Sequence, residues 1–395
     1  MQGKRIFSGS NATLVIFALI LFATGNPASA QVETVLYSFG NTATDAAYPY
    51  AGLVSDTAGS LYGTTLYGGA NNDGTVFELT KAGGHWMEKI LHSFGSSGDG
   101  FLPQAGLTFD SVGNLYGTTY EGGAHAAGTV FELTPHSGGN WTEKVLHSFN
   151  PNGTDGANPL AGLTFDAAGS LYGTTYTGGT FASGTIFELT PEGGGWTEKV
   201  LHSFGNGTDG AAPHAALILD GAGNLYGTTL DGGVDGLGTV FETTPKKGKW
   251  AEKVLHSFNG KDGEYPTAAL IFDPAGNLYG TTESTIFELM PKAGGWTEKV
   301  LRNSGSTASL IFNPAGGKLY GTTALGGPQD SGTLFELTRK AGGKWTYTIL
   351  HGFVGGGADG AYPYSGLIFG APAHLYGTTY MGGARDVGTV FEFTP

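Results

Sequence analysis

One pentapeptide, Leu-Tyr-Gly-Thr-Thr, begins at Leu61, Leu115, Leu171, Leu225, Leu278, Leu319 and Leu375. The seven copies lie at intervals of 54, 56, 54, 53, 41 and 56 residues, and self-similarity at such a period marks a propeller, a solenoid or another array of stacked units. One full unit, residues 105–149, contains four apolar-rich runs separated by Gly-rich turns: 105–110 (run a), 114–120 (b), 128–134 (c) and 141–149 (d). Such runs read as strands, and no stretch holds a 3.6-residue apolar period long enough for a helix. Asp110-x-x-Gly113-Asn114 suits a tight hairpin between a and b, with Gly supplying a positive φ. Glycine, at 71 residues, far exceeds the usual share of about 7%; its fixed phase makes it turn chemistry, not low complexity.

Four antiparallel strands per unit, seven times over, predict an all-β fold, a seven-bladed β-propeller. Counting at the ends predicts how the ring closes. Runs a, b and c each occur seven times, and the last set ends at Pro395 with no run d after it. The remaining run d, 32–39, stands ahead of every blade. An open array would leave that strand and the last blade's edge unpaired, which invites aggregation. A closed ring lets 32–39 complete blade 7, at 365–395.

The N-terminal 30 residues belong to a different class. Lys4 and Arg5 precede an apolar run, 14–23, and then Ala28-Ser29-Ala30, the pattern of a secretory signal peptide. The apolar run is too short for a membrane span of about 20 residues. The reading is therefore a signal peptide over 1–30, cleavage near Ala30, and a single propeller domain over 31–395, extracellular or periplasmic, with no membrane span in the mature chain. The formal charge of −14 becomes −16 once Lys4 and Arg5 are removed, since 1–30 holds no acid. An acidic chain without basic runs argues against nucleic acid or an anionic membrane as partner. There is no cysteine, which rules out disulfides, zinc–thiolate sites, cysteine nucleophiles and a thioether lipid anchor.

The unit "GNLYGTT…GG…GTVFELTP" resembles the GloVer-type (Gloeobacter–Verrucomicrobia) tandem repeats of secreted bacterial proteins, over essentially all of 31–395. The resemblance implies export and a propeller-like array, and points to no particular reaction. That family often carries a separate C-terminal surface anchor, which a chain stopping within its last blade is expected to lack. A weaker likeness is to kelch blades, with Gly122-Gly123 after run b and Trp141 opening run d. The copper oxidases built on kelch-like propellers use a Cys–Tyr crosslink, which a cysteine-free chain cannot form.

Propeller geometry places the b–c and d–a connections on one face, and these are the two longest recurrent loops, one with Gly-Gly and one with Asp-Gly-x-x-Pro. That face is the expected working surface. Blade 5 lacks its b–c loop, and the next connection, 301–310, lacks its Asp-Gly-x-x-Pro, so the rim is expected to carry one notch. On the same face Tyr48 and Tyr50 flank Pro49, Tyr362 and Tyr364 flank Pro363, and Tyr67 and Tyr380 stand at the end of run b in the same two blades. Blades 4 to 6 carry Leu230, Glu283 and Ala324 at the end of that run. An aromatic group with hydroxyls suits stacking on sugar rings; packing of these tyrosines on their own loops is the competing reading.

Asp99, Asp155, Asp209, Asp262 and Asp359 recur in phase, with Asp45 at the same place. Carboxylates on one face suit Ca²⁺, but an Asp before Gly is first a turn former. The expectation is therefore no metal and no cofactor, with Ca²⁺ as the alternative. His92, His147, His202, His256 and His351, one per run d, read as structural. The Trp opening run d and the Phe of Phe-Glu-Leu read as inter-blade core, and the Glu of that tripeptide is expected to pair with the Lys of Thr-Glu-Lys across strands. The non-repeating titratable residues of the long-loop face, His125, His214, Asp231, Asp235, Arg385 and Asp386, are the only catalytic candidates, and they form no spacing-defined motif. Two functions follow: a secreted module binding a polysaccharide or an extracellular protein, and, as the alternative, an extracellular lyase or glycosidase with its site at the channel mouth.

Overall fold

In a computed structural model, described for residues 32–303, 308–370 and 374–395, every regular element is a strand. Residues 1–30, the expected signal peptide, and part of the 301–310 connection lie outside the described residues. Among the described residues no helix is long and apolar enough to cross a membrane.

Seven four-stranded antiparallel sheets make the seven blades. Blade 2 sets the pattern, with Thr108–Phe109 (a), Leu115–Thr119 (b), Thr129–Pro135 (c) and Trp141–Ser148 (d) hydrogen-bonded in that order. Strand a is shorter than the run 105–110: only Thr108 and Phe109 pair with strand b, and the Ala105 carbonyl accepts the Thr64 hydroxyl of blade 1 at 2.9 Å. The a–b hairpin is an Asx turn: Asp110 Oδ1 accepts the N–H groups of Val112 and Asn114, both at 2.9 Å, and Gly113 takes φ +95°. Strand b is buried throughout, and its Gly is required there. A Cβ on Gly117 would stand 2.6 Å from the Phe131 ring, so the Phe of each Phe-Glu-Leu fills the space that the Gly of each Leu-Tyr-Gly leaves open.

The ring closes as the strand count demands. Val32–Ser38 pairs antiparallel with Thr389–Thr394, Thr34 opposite Glu392 and Ser38 opposite Thr389, and gives blade 7 its fourth strand. No sheet spans two blades among the described residues; the seams are held by packing, by side-chain bonds and by single backbone bonds between loops, such as Leu102 N–H to Asp73 O at 3.0 Å and Tyr48 N–H to Val387 O at 2.7 Å. Phe94 lies edge-on to Phe131 of the next blade at 5.1 Å, and Trp141 packs back on Tyr62 at 6.3 Å. Phe39, Phe94, Phe149, Phe204 and Phe258 are all fully buried in this way. Burying a Phe side chain stabilises by about 1.5–3 kcal/mol, so the seams carry much of the fold. Deeper in, a strand-b Thr reaches across every seam to a carbonyl of the next blade: Thr64 to Ala105, Thr118 to Ala161, Thr174 to Ala215, Thr228 to Ala268, Thr281 to Ala308, Thr322 to Ser365 and, across the closure, Thr378 to Ala51 at 3.1 Å.

Candidate functional site

The two long loops of a blade meet on one face. In blades 1, 2, 3, 4 and 7 they pair as two-residue ladders, such as Ala46–Ala47 with Tyr67–Gly68 and Gly100–Phe101 with Glu121–Gly122. The second Gly of the b–c loop caps the carbonyl of the recurrent Asp: Gly123 N–H donates to Asp99 O at 2.8 Å, and Gly69, Gly179, Gly233 and Gly383 do the same to Asp45, Asp155, Asp209 and Asp359. The first Gly makes the approach possible. At φ +87°, a Cβ on Gly122 would stand 2.7 Å from that same oxygen. Blade 5, which has lost the loop, keeps the bond by another donor: Thr285 Oγ1 reaches Asp262 O at 2.9 Å. The structural task of the loop is thus one capped carbonyl, and one Thr hydroxyl replaces it.

Inside the loops, the residue that precedes the first small residue of each strand-a segment stands at the channel mouth. Among the described residues these are Tyr50, Gln104, Leu160, His214, Thr267 and Tyr364, and together with Glu283 they line a cavity of about 500 Å³. The wall below is narrow because it is built of Gly, Ala and Ser; a Cβ on Gly162 would lie 3.1 Å from Gly106 O. The repeat is strict almost everywhere else, so this position is where the blades differ in what they present. Gln104 and Glu283 are mouth residues that motif reading passes over; variation at this one phase of the repeat is the signal that finds Gln104, and the missing b–c loop of blade 5 is the signal that finds Glu283. Glu283 is exposed at the mouth because blade 5 has no loop to cover it.

Five of the six singled-out tyrosines are brought together across blades 7 and 1. Tyr50 stacks on Tyr364 with centroids 5.1 Å apart and planes 26° apart. Tyr380 meets Tyr364 edge-on at 5.7 Å and Tyr48 at 5.1 Å with the planes tilted by 42°, and Tyr48 meets Tyr67 edge-on at 5.8 Å. Tyr362 makes no ring contact within this group. Its amide donates to Ser331 O, and its own carbonyl accepts from Tyr380 N–H. Among the described residues, none of the hydroxyls of Tyr48, Tyr50, Tyr67, Tyr362, Tyr364 and Tyr380 has a hydrogen-bond partner. By contrast, the Leu-Tyr-Gly tyrosines are bonded: Tyr62 donates to Glu78 at 2.8 Å and Tyr116 to Glu132 at 3.1 Å. Burial, with Tyr364 and Tyr380 close by, holds the Tyr50 hydroxyl above its usual pKa.

The other candidates are dispersed. His214 lies in the mouth, its ring edge-on to Tyr176 at 6.3 Å and its Nδ1 hydrogen-bonded to Thr267 O at 3.4 Å; burial pushes its pKa below the ordinary value against that carbonyl. His125 lines a separate cavity of about 350 Å³ between blades 2 and 3. Asp386 is a loop device: its Oδ1 accepts Gly382 N–H at 3.0 Å, as Asp330 does from Gly326. Arg385 is exposed beside it, with no ion pair between the two among the described residues. Asp231 stands in the small ladder of blade 4, and Asp235 is exposed at its loop tip. The recurrent Asp residues stand one to a seam. Each touches the outer-strand His of its own blade, His92 to Asp99 at 3.0 Å and His202 to Asp209 at 2.8 Å, and accepts the next backbone N–H, as Asp99 does from Gly100 at 2.7 Å.

No protein of curated function matches this chain. Among solved structures, two extracellular domains of proteins named as hybrid two-component systems of B. thetaiotaomicron share the fold. One has a TM-score of 0.58 at 11% identity, covering 91% of this chain and 39% of that one; the other has 0.57 at 13%, covering 92% and 41%. PorZ, named as an essential surface component of the type-IX secretion system of Porphyromonas gingivalis, has 0.53 at 15%, covering 88% and 46%. This chain spans less than half the length of each. The Gloeobacter/Verrucomicrobia repeat model matches residues 20–164 and 138–306, and the chain belongs to that family.

Proposed function

We propose that this is an exported glycan-binding propeller whose long-loop face is the binding surface. The tyrosines of blades 7 and 1 form its platform. The observation that carries the reading is the contrast between two sets of tyrosines: those of the core have bonded hydroxyls, and those of the face do not. A ring with an apolar side and a free polar handle is the chemistry that stacks on a sugar and bonds its hydroxyls. Tyr50 and Tyr364 also line the cavity, so the platform runs into the channel mouth. Export rests on the pattern of residues 1–30, and the net negative charge keeps nucleic acid out of consideration.

Affinity electrophoresis of 31–395 through gels containing different polysaccharides tests this. Retardation is expected in at least one gel, and Tyr50→Ala and Tyr364→Ala should weaken it by about tenfold or more, a loss of about 1.4 kcal/mol, while leaving the melting temperature nearly unchanged. Folded protein that runs free in every gel sinks the reading and turns the search to a protein partner.

One observation favours the enzyme alternative: two non-repeating titratable residues, His214 and Glu283, line the same cavity. An acid and a base that converge on one bond are what a lyase or glycosidase needs. Reducing ends released by the wild type and not by Glu283→Gln would decide for catalysis.

A further inference from the structure

Each outer strand serves two seams, and a bulge makes this possible. In blade 2, Trp141, Glu143 and Val145 alternate onto the side facing blade 1, where Trp141 meets Tyr62. Strict alternation would put His147 on that side too. The register slips by one residue before His147, between the pairs Phe131–Val145 and Val130–His147, which turns His147 toward blade 3. The same slip occurs in all seven outer strands. A seam therefore receives His and Asp from one blade and Glu from the next.

In four seams the three groups lie with donor atoms within 4.8 Å of one another: His92, Asp99 and Glu143; His147, Asp155 and Glu198; His202, Asp209 and Glu252; His351, Asp359 and Glu33. The blade 4–5 seam has His256 and Asp262, 3.3 Å apart, with Glu298 opposite. At the closure Tyr37 replaces His, donating to Glu88 at 3.2 Å and approaching Asp45 at 3.4 Å. The Asp of each seam accepts at least one backbone N–H bond, as Asp99 does from Gly100, Asp155 from Asn150 and Gly156, and Asp359 from Val354 and Gly360. Each Glu has an oxygen shut away from solvent with no hydrogen-bond partner. No Lys or Arg pairs with any of the six among the described residues. The groups facing them are the seam's own Asp and its His or Tyr.

We propose that these six seams are proton-held: the Glu of one blade carries a proton that it shares with the Asp of its neighbour, so the ring tightens in acid and loosens as the pH rises. The proton supplies what the geometry lacks, a donor for two carboxyl groups that face each other with no Lys or Arg within reach. Burial first, and the facing Asp second, push Glu33, Glu143, Glu198, Glu252 and Glu298 up to about 7. Burial and Asp45 push Glu88 to about 9. The folded ring thus holds protons that the unfolded chain, with carboxyls near 4.5, releases. Stability from these groups is full below pH 4.5, is lost as the pH rises to about 7 at five seams, and goes on falling to about 9 at the closure. Glu33 and Tyr37 both belong to Val32–Ser38, so the closing strand is pinned on both sides by this device.

Thermal melts of 31–395 between pH 5 and pH 9, in buffers containing EDTA, test it. The melting temperature should fall by about 5 °C or more between pH 5 and pH 8. Glu143→Gln and Glu33→Gln, which keep a neutral donor at every pH, should each flatten that slope; both are single changes, readable even where a sixfold variant fails to fold. A flat wild-type profile, or slopes unchanged in both variants, overturns the proposal. So does Ca²⁺ or Zn²⁺ at pH 8 restoring the acid melting temperature, because a divalent cation would then be what holds the seams.

Discussion

The seam between blades 7 and 1 and the seam between blades 5 and 6 both depart from the repeat, in opposite directions. At the first, one member of the outer network changes and the network itself stays. Tyr37 stands for His, Phe39 still meets Phe77 edge-on at 5.1 Å, and the loops on either side are complete and carry the tyrosine platform. At the second, the outer network is gone. Arg302 stands where His would, and Tyr347 where Glu would. The guanidinium sits 4.5 Å from the Tyr347 ring, which stacks on Phe335 at 5.0 Å. Neither blade 5 nor blade 6 has a loop ladder among the described residues. Yet the inner bridge survives at both, Thr378 to Ala51 at 3.1 Å and Thr281 to Ala308 at 3.3 Å. The inner hydroxyl bridge is what every seam keeps; at the 5–6 seam the aromatic against Phe335 is Tyr347 of the same blade. The outer acid network and the loops can be exchanged, and at the closure they are where the blade adds a surface.

The largest effect should come from breaking the closure. A chain beginning at Gly40 loses the strand Val32–Ser38 with its ladder, together with Phe39, which is fully buried. Truncating a buried Phe alone costs about 3–5 kcal/mol, and the last blade would expose a new edge. The melting temperature should drop by more than about 10 °C, read by circular dichroism on residues 31–395 and on the shortened form. An unchanged melt would mean that the last blade stands with three strands and that the ring is held elsewhere.

How much of this was legible in advance follows from the kind of information each feature uses. The blade count and the closure are read directly from Leu-Tyr-Gly-Thr-Thr and from the displaced run 32–39, because a repeat reports its own register. The cross-strand pairs were legible as well: Lys89 lies 3.9 Å from Glu78 and Lys299 3.3 Å from Glu288. The tyrosine group could be anticipated from Tyr-Pro-Tyr before two adjacent blades. What was hidden is the meeting of His147 with Asp155 and Glu198. The bulge reverses which way His147 faces, and the Glu arrives from the next blade, so no local pattern brings them together. The mouth ring was hidden for a different reason, since Tyr50, Gln104, Leu160 and His214 share a position and nothing else.

A smaller change tests whether blade 5 really replaces its loop with one hydroxyl. Thr285→Ala leaves the Asp262 carbonyl uncapped and removes the 3.0 Å contact with Thr282. An unsatisfied buried acceptor costs about 1–3 kcal/mol. Thr285→Ser, which keeps the donor, should recover most of that in a urea melt. Equal losses in both variants would put the effect down to the lost methyl group, and the loop would then need another account.

The smallest effect belongs to the exchanged outer network. Arg302 is exposed, and a cation over an aromatic face at such a site is worth about 0.5–1 kcal/mol. Arg302→Gln should therefore move the denaturation midpoint barely beyond error. It should also leave the pH profile untouched, because this seam alone has no Asp and Glu to share a proton. That second expectation sharpens the comparison more than the first. A pH slope altered by Arg302→Gln would mean that the guanidinium acts at a distance on the acid seams beside it, and the two irregular seams would no longer be independent exchanges of one outer network.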